Sequence, residues 1–192
     1  MNIKNTLWTV AAATLLLTGL LANAQSVDER KENHQQRIGQ GIEKGQLTPG
    51  EAARIEKQEK AVNKEVRTDR KADGGKLTPS ERQQVNAQQN KMSKEIHTDR
   101  TNAVKPHYGN NEVDQRRANQ QKRIGQGVAS GQLTARETAR LESKEAKING
   151  QVRAECKANG GKLTPAEKQQ VNGESNRESK QIYKQKHDGQ KR

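Results

Sequence analysis

The sequence predicts an all-α protein made of two tandem related three-helix units, with long helices in antiparallel hairpins over a sparse core. Three observations lead there. The stretch from Arg37 to Ile96 recurs without gaps from Arg123 to Ile182, a shift of about 86 residues, and more than half of the aligned positions are identical. Within each copy a pattern Gly-x-Leu-Thr-x-x-Glu occurs twice, at Gly45–Glu51 and Gly75–Glu81, then at Gly131–Glu137 and Gly161–Glu167. Between these punctuation marks the few aliphatic residues fall at helical steps: Ile55, Val62 and Val66, then Leu141, Ile148 and Val152.

The repeated pattern reads as a helix stop followed by a helix start. A glycine takes the left-handed conformation that ends one helix. Thr48, Thr78, Thr134 and Thr164 then cap the next, and Glu51, Glu81, Glu137 and Glu167 stand three residues on, where a capping box satisfies two orphan backbone donors reciprocally. Pro49, Pro79 and Pro165 occupy the first helical position, where a missing N–H costs nothing, and Ala135 takes that place in the remaining copy. The leucines before the caps, Leu47, Leu77, Leu133 and Leu163, are expected to turn inward.

The helices therefore span about Val27–Lys44, Pro49–Ala72 and Pro79–Ala103, then Val113–Ala129, Ala135–Ala158 and Pro165–His187. In the third and sixth, Val85, Met92 and Ile96 are echoed by Val171 and Ile182, with Glu178 in place of the methionine. A finer period of about 30 residues runs inside the longer one, because Lys64–Arg70 returns in altered form as Lys94–Arg100. Residues 104–114, with Pro106, Gly109 and Asn110-Asn111, divide a first unit at 25–103 from a second at 115–192.

Residues 1–24 read as an export signal: Lys4, an apolar run from Leu7 to Leu21, and small residues at Ala22-Asn23-Ala24. Cleavage after Ala24 places the chain in the periplasm or outside the cell. After Ala24, Ile, Leu, Val and Met make up only about an eighth of the residues, a level otherwise typical of disordered chains. The helical placement of those residues favours a narrow-stripe bundle over disorder.

The formal charge is +13, which points to polyanions (lipopolysaccharide, teichoic acid, acidic polysaccharide or extracellular nucleic acid) as partners. Dense cationic clusters stand at Arg116-Arg117, at Lys122-Arg123 and in the tail Lys184–Arg192. Beyond the signal there is no Phe or Trp to stack bases, and no helix has the bulky apolar face that stable membrane insertion needs. No nucleophile–base spacing, cofactor loop or metal-ligand cluster stands out, so the sequence predicts a non-catalytic protein without cofactor or metal. Its sole cysteine, Cys156, aligns with Arg70 in the first copy, which suggests an exposed thiol through which two chains could pair.

Three resemblances follow from the motifs. Gly75-Lys-Leu-Thr-Pro-Ser-Glu81 resembles the second half of an EF-hand loop, which implies calcium binding. In the first half, however, Arg70, Ala72 and Gly74 stand where carboxylates belong, as do Cys156, Ala158 and Gly160 in the second copy. Leu47-Thr-Pro-Gly-Glu51 and Leu77-Thr-Pro-Ser-Glu81 look like a glutamate version of the Leu-Thr-x-x-Gln helix starts of Spy/CpxP-type periplasmic proteins. That similarity implies a stress chaperone or adaptor that cradles unfolded or envelope proteins on a basic surface. The full pattern, Arg-Ile-x-x-Gly-x-x-x-Gly-x-Leu-Thr-x-x-Glu, resembles that of bacterial exported helical-repeat proteins and implies no particular activity.

Overall fold

The computed structural model describes residues 26–190, so the signal segment 1–24 and its cleavage point lie outside the described residues. Six helices follow one another: α1 (Val27–Glu43), α2 (Pro49–Ala72), α3 (Pro79–Thr101), α4 (Glu112–Ala129), α5 (Ala135–Ala158) and α6 (Pro165–Lys186). The class is all-α. None of these helices is long and apolar enough to cross a membrane.

Local chemistry sets the ends. All four Thr/Glu pairs form reciprocal capping boxes, and a fifth, unanticipated from the sequence, joins Ser26 to Glu29 at the start of α1. Each such cap contributes on the order of 1 kcal/mol. α3 stops at Thr101, short of the expected Ala103, because Asn102 leaves helical geometry and its side chain accepts from the Val104 N–H at 2.9 Å. Asn111 caps α4 by accepting from the Asp114 N–H at 3.1 Å, which starts that helix one residue earlier than expected.

Two kinds of turn result. At the α1–α2 and α4–α5 turns, Gly45 (φ 62°) and Gly131 (φ 74°) reverse the chain, and Leu47 and Leu133 are fully buried. Gly41 and Gly127 make room for them, since a Cβ at either would lie 2.8 Å from a leucine δ-carbon. At the α2–α3 and α5–α6 turns Leu77 is buried but Leu163 only partly so.

Within each copy the third helix covers the first two, α3 over α1 and α2, α6 over α4 and α5. The most extensive packing joins the copies, α1 on α4 and α2 on α5. At the α1–α4 crossing a Cβ on Gly39 would stand 2.6 Å from the Ala129 nitrogen and 2.8 Å from the Gly125 oxygen; a Cβ on Gly125 would stand 2.6 Å from the Glu43 nitrogen and 2.7 Å from the Gly39 oxygen. These contacts are reciprocal, as at a two-fold axis. Gly39 and Gly125 are equivalent in the repeat, and so are Glu43 and Ala129. The copies are thus related by a pseudo-two-fold axis through this crossing.

That arrangement supports a chain so poor in aliphatics. Ile38, Ile42, Leu47, Ile55 and Met92 from one copy and Ile124, Leu133, Leu141 and Ile182 from the other belong to one core cluster. A smaller cluster of Val113, Ile148, Val152 and Val171 lies in the second copy. The connection after α3 is tied down. Asn102 donates to the Glu51 carboxylate at 2.8 Å, and Lys105 Nζ reaches the Arg100 carbonyl at 2.9 Å. The Arg117 guanidinium lies 5.1 Å from the Tyr108 ring centroid, a cation–π contact of about 1 kcal/mol.

The glycine crossing yields a direct test. Gly39→Ala forces backbone apart and is expected to cost about 1–3 kcal/mol. Gly150→Ala, in α5 with nothing within 4 Å of the new methyl, is expected to gain about 0.5–1 kcal/mol. Thermal denaturation of the two variants measures both, and an unchanged melting temperature for Gly39→Ala would refute the close crossing.

Candidate anion-binding groove

The residues singled out by motif are occupied locally. Glu51, Glu81, Glu137 and Glu167 each accept from their cap's N–H, at 2.9, 2.7, 2.9 and 2.7 Å, and from the same threonine's hydroxyl. The Thr78 N–H and hydroxyl hold the Glu81 carboxyl below its ordinary range, and the Thr164 contacts do the same for Glu167. At Glu51 burial pushes the pKa up, but the bonds from Thr48 and Asn102, with Arg54 nearby, outweigh it and lower the net value. Glu167 also accepts both Asn159 bonds, at 2.8 and 2.9 Å.

Among the described residues no three His, Cys, Asp or Glu side chains gather in a way that could hold a metal ion. His97 and His107 are exposed. His187 stacks on Tyr183 at 4.1 Å between ring centroids, and His34 is buried 3.5 Å from a Glu59 oxygen. Cys156 is half-buried against the smaller cluster rather than exposed as its alignment with Arg70 suggested. Burial, with Asp114, Glu155 and Glu167 nearby, raises its pKa and so keeps the thiol protonated.

The structure redistributes the positive charge. The expected cluster at Arg116-Arg117 is largely spent on the fold: Arg117 is buried on Asp114 (2.8 Å) and Asn149 (2.6 Å), and Arg116 bonds Asn176 at 2.5 Å. Arg123 holds Ser179 at 2.6 Å. Among the cations that remain exposed, one group gathers along α2 and α5.

One stretch of this groove, of about 800 Å³, is lined by Lys57 and Lys60 of α2, Arg136, Arg140 and Lys144 of α5, and Lys184 of α6. It adjoins a second stretch of about 600 Å³ that shares Lys60 and Arg136 and continues past Lys64 and Arg67. The lining ascends α2 as it descends α5, so the helices run antiparallel and each displays a row of cations. All six of the first stretch are exposed. The side chains of Lys57, Lys60, Arg136, Arg140 and Lys184 make no hydrogen bond or ion pair among the described residues. Only Lys144 is engaged, by Gln181 and, at 3.4 Å, by Glu178. Two acids also line the groove: Glu137, whose carboxylate is committed to Thr134, and Asp188, which accepts from the Gln190 N–H at 2.9 Å. Of these cations only Lys184 belongs to a cluster that stands out in the sequence. Their signal was present in the i, i+4, i+8 spacing of Arg136, Arg140 and Lys144, but only the α2–α5 contact sets that row beside the lysines of α2.

Beneath the groove lies a set of buried carboxyls. Glu56, Glu59, Glu142, Glu145 and Glu178 are all buried. Gln35 donates to Glu56 at 2.9 Å, and its repeat equivalent Gln121 donates to Glu142 at 3.0 Å. Glu59 and Glu145 occupy the same helical stripe as Ile55 and Val62, or Leu141 and Ile148, a position their spacing already marks as inward. Desolvation pushes the Glu142 carboxyl far above its ordinary range, and the neighbouring Glu145, Glu56 and Glu178 push it further. Desolvation and Glu178 raise Glu145 to about 8, with Arg117 opposing. Glu178 is raised by burial, with Lys144 opposing.

A raised carboxyl pKa means the native state keeps a proton that the unfolded chain releases. Between the ordinary 4.5 and the folded value of about 8 for Glu145, stability therefore falls as pH rises, by at most about 1.4 kcal/mol per pH unit for each such group. The cap glutamates with lowered values act only below that window. The melting temperature is expected to decline from pH 5 to pH 8, and Glu145→Gln to flatten the decline; a wild-type melting temperature that rises across this range would contradict the assignment.

Comparison with protein-family models, curated proteins and solved structures returns no match for this chain.

Proposed function

We propose that the chain is a non-catalytic exported helical-repeat protein, a binding or envelope-stress module of the chaperone or adaptor kind, that engages polyanions or unfolded envelope proteins through its basic helical surfaces. The observation that carries this reading is the groove between α2 and α5, where five cationic side chains have no partner among the described residues. The chain carries 36 Lys and Arg against 23 Asp and Glu, and gathering cations along one groove raises the local positive potential. Leaving one face unneutralised favours an external anion. Export rests on the 1–24 segment. The capped Leu-Thr-x-x-Glu helix starts support the likeness to Spy/CpxP-type proteins.

Binding of this kind releases counterions and weakens with salt. Fluorescence anisotropy with a labelled sulfated polysaccharide is expected to show affinity falling on the order of ten-fold or more between 50 and 200 mM salt. A protein that binds no polyanion at low salt and suppresses no client aggregation would refute the reading. Submillimolar calcium binding by calorimetry, with a calcium-dependent gain in helicity, would favour the EF-hand alternative instead.

A further inference from the structure

The pseudo-two-fold axis relates the lining of this groove to an equivalent set of positions in the other copy, and that set carries fewer cations. The groove already described takes Lys57 and Lys60 from α2; the repeat equivalent of Lys57 is Ser143, which lines this same groove, and that of Lys60 is Ala146. Arg136 and Lys144 of α5 correspond to Gly50 and Gln58, and Lys184 of α6 corresponds to Thr98 of α3. Lys57 and Ser143 are equivalent and line this groove together, so the asymmetry rests on Lys60, Arg136, Lys144 and Lys184, each of which adds positive charge here.

Arg140 makes the contrast sharpest, because its equivalent is also an arginine. Arg54 is neutralised by two carboxylates of α3, with Glu95 in direct contact and Asp99 at 2.6 Å. The residues standing in those two places on α6 are Gln181 and Gln185, and the Arg140 guanidinium has no ion-pair partner among the described residues. One backbone arrangement thus carries a closed ion-pair network in the first copy and an open guanidinium in the second.

We propose that the groove lined by Arg136, Arg140, Lys144 and Lys184 with Lys57 and Lys60 is the single dedicated site of this protein for a strand of acidic polysaccharide. The proposal rests on the polyanion-binding reading above and gives it a place and a ligand class. The α5 cations recur every four residues, about 6 Å apart along the helix, and those of α2 run antiparallel beside them. Such rows suit an extended chain with regularly spaced charges. Between the cations stand neutral hydrogen-bonding groups, Ser143, Gln181 and Gln185, which suit hydroxyls alternating with carboxylates, while Asp188 lies beyond Lys184 toward the chain end. A guanidinium donates two parallel N–H bonds to a carboxylate. No aromatic ring lines the groove, which removes the stacking platform that single-stranded nucleic acid uses.

The repeat itself supplies the test. Gln181→Glu with Gln185→Asp transplants the first copy's acids opposite Arg140, in a geometry the fold already accommodates. Lys91→Gln with Lys94→Gln removes the same net charge from the exposed face of α3, away from the groove. Calorimetric titration of the purified protein with an oligogalacturonate is expected to show about ten-fold weaker binding for the first double variant and less than about three-fold for the second. Circular dichroism checks that both variants keep their helices. Equal losses in the two variants would overturn the dedicated site and leave surface polyanion binding standing. Inorganic polyphosphate or a single-stranded oligonucleotide binding in place of the oligogalacturonate would overturn the ligand class. Failure to bind any of the three would overturn the inference, and the function proposed above would then rest on its client-protein arm alone.

Discussion

The close crossing of α1 and α4 at Gly39 and Gly125 is the constraint on which the rest of this structure depends. A chain with so few aliphatic residues cannot give each three-helix unit an adequate core of its own. Pooling both units' residues solves this only if the helices approach closely enough to exclude water, and at this crossing they approach until backbone meets backbone. Ile38, Ile42, Ile124 and Val128, which flank the two glycines, are then fully or almost fully buried. The same docking brings α2 against α5. Without it there is no shared core and no groove.

Two-fold relation also explains the chemistry of the interior. A residue near such an axis meets its own copy, so one choice in a repeat becomes a pair in the protein. Glu56 and Glu142 are such a choice, close enough for one to raise the pKa of the other. Gln35 and Gln121 each satisfy part of one carboxyl, and protonation relieves the repulsion that two ionised groups would create. Glu178 adds a further carboxyl where the first copy has Met92, with Lys144 3.4 Å away. The second copy thus has a more acidic interior beneath a more basic surface, and Lys144 touches both.

The two copies have kept one backbone plan while dividing their surface charge. Arg54, Glu95 and Asp99 close a network that helps hold α3 against α2. In the second copy, Arg140 keeps its place while the acids have become amides. Packing of α6 is maintained by other means, through Ile182 in the core and Arg123 on Ser179. Ion pairing at that place is therefore dispensable for the fold, and its loss exposes a cation to solvent where an anionic chain could lie.

The capping boxes, the helix bounds to within two residues and the inward leucines were legible in the sequence because each depends on residues within one turn of each other. Glu59 and Glu145 were legible as inward positions too, from the helical period alone, although an acidic residue in an apolar stripe is easily passed over. What needed the tertiary structure was everything set by the relation between copies: the shared core, the glycine crossing, the facing carboxyls and the groove. Gly39 and Gly125 look like ordinary helix-interior glycines until the opposing backbone is in place. Lys57 and Arg136 are far apart along the chain and mean little singly. Charge and period are local properties that a sequence states directly, whereas which faces meet is decided by where the scarce apolar surface can be buried together.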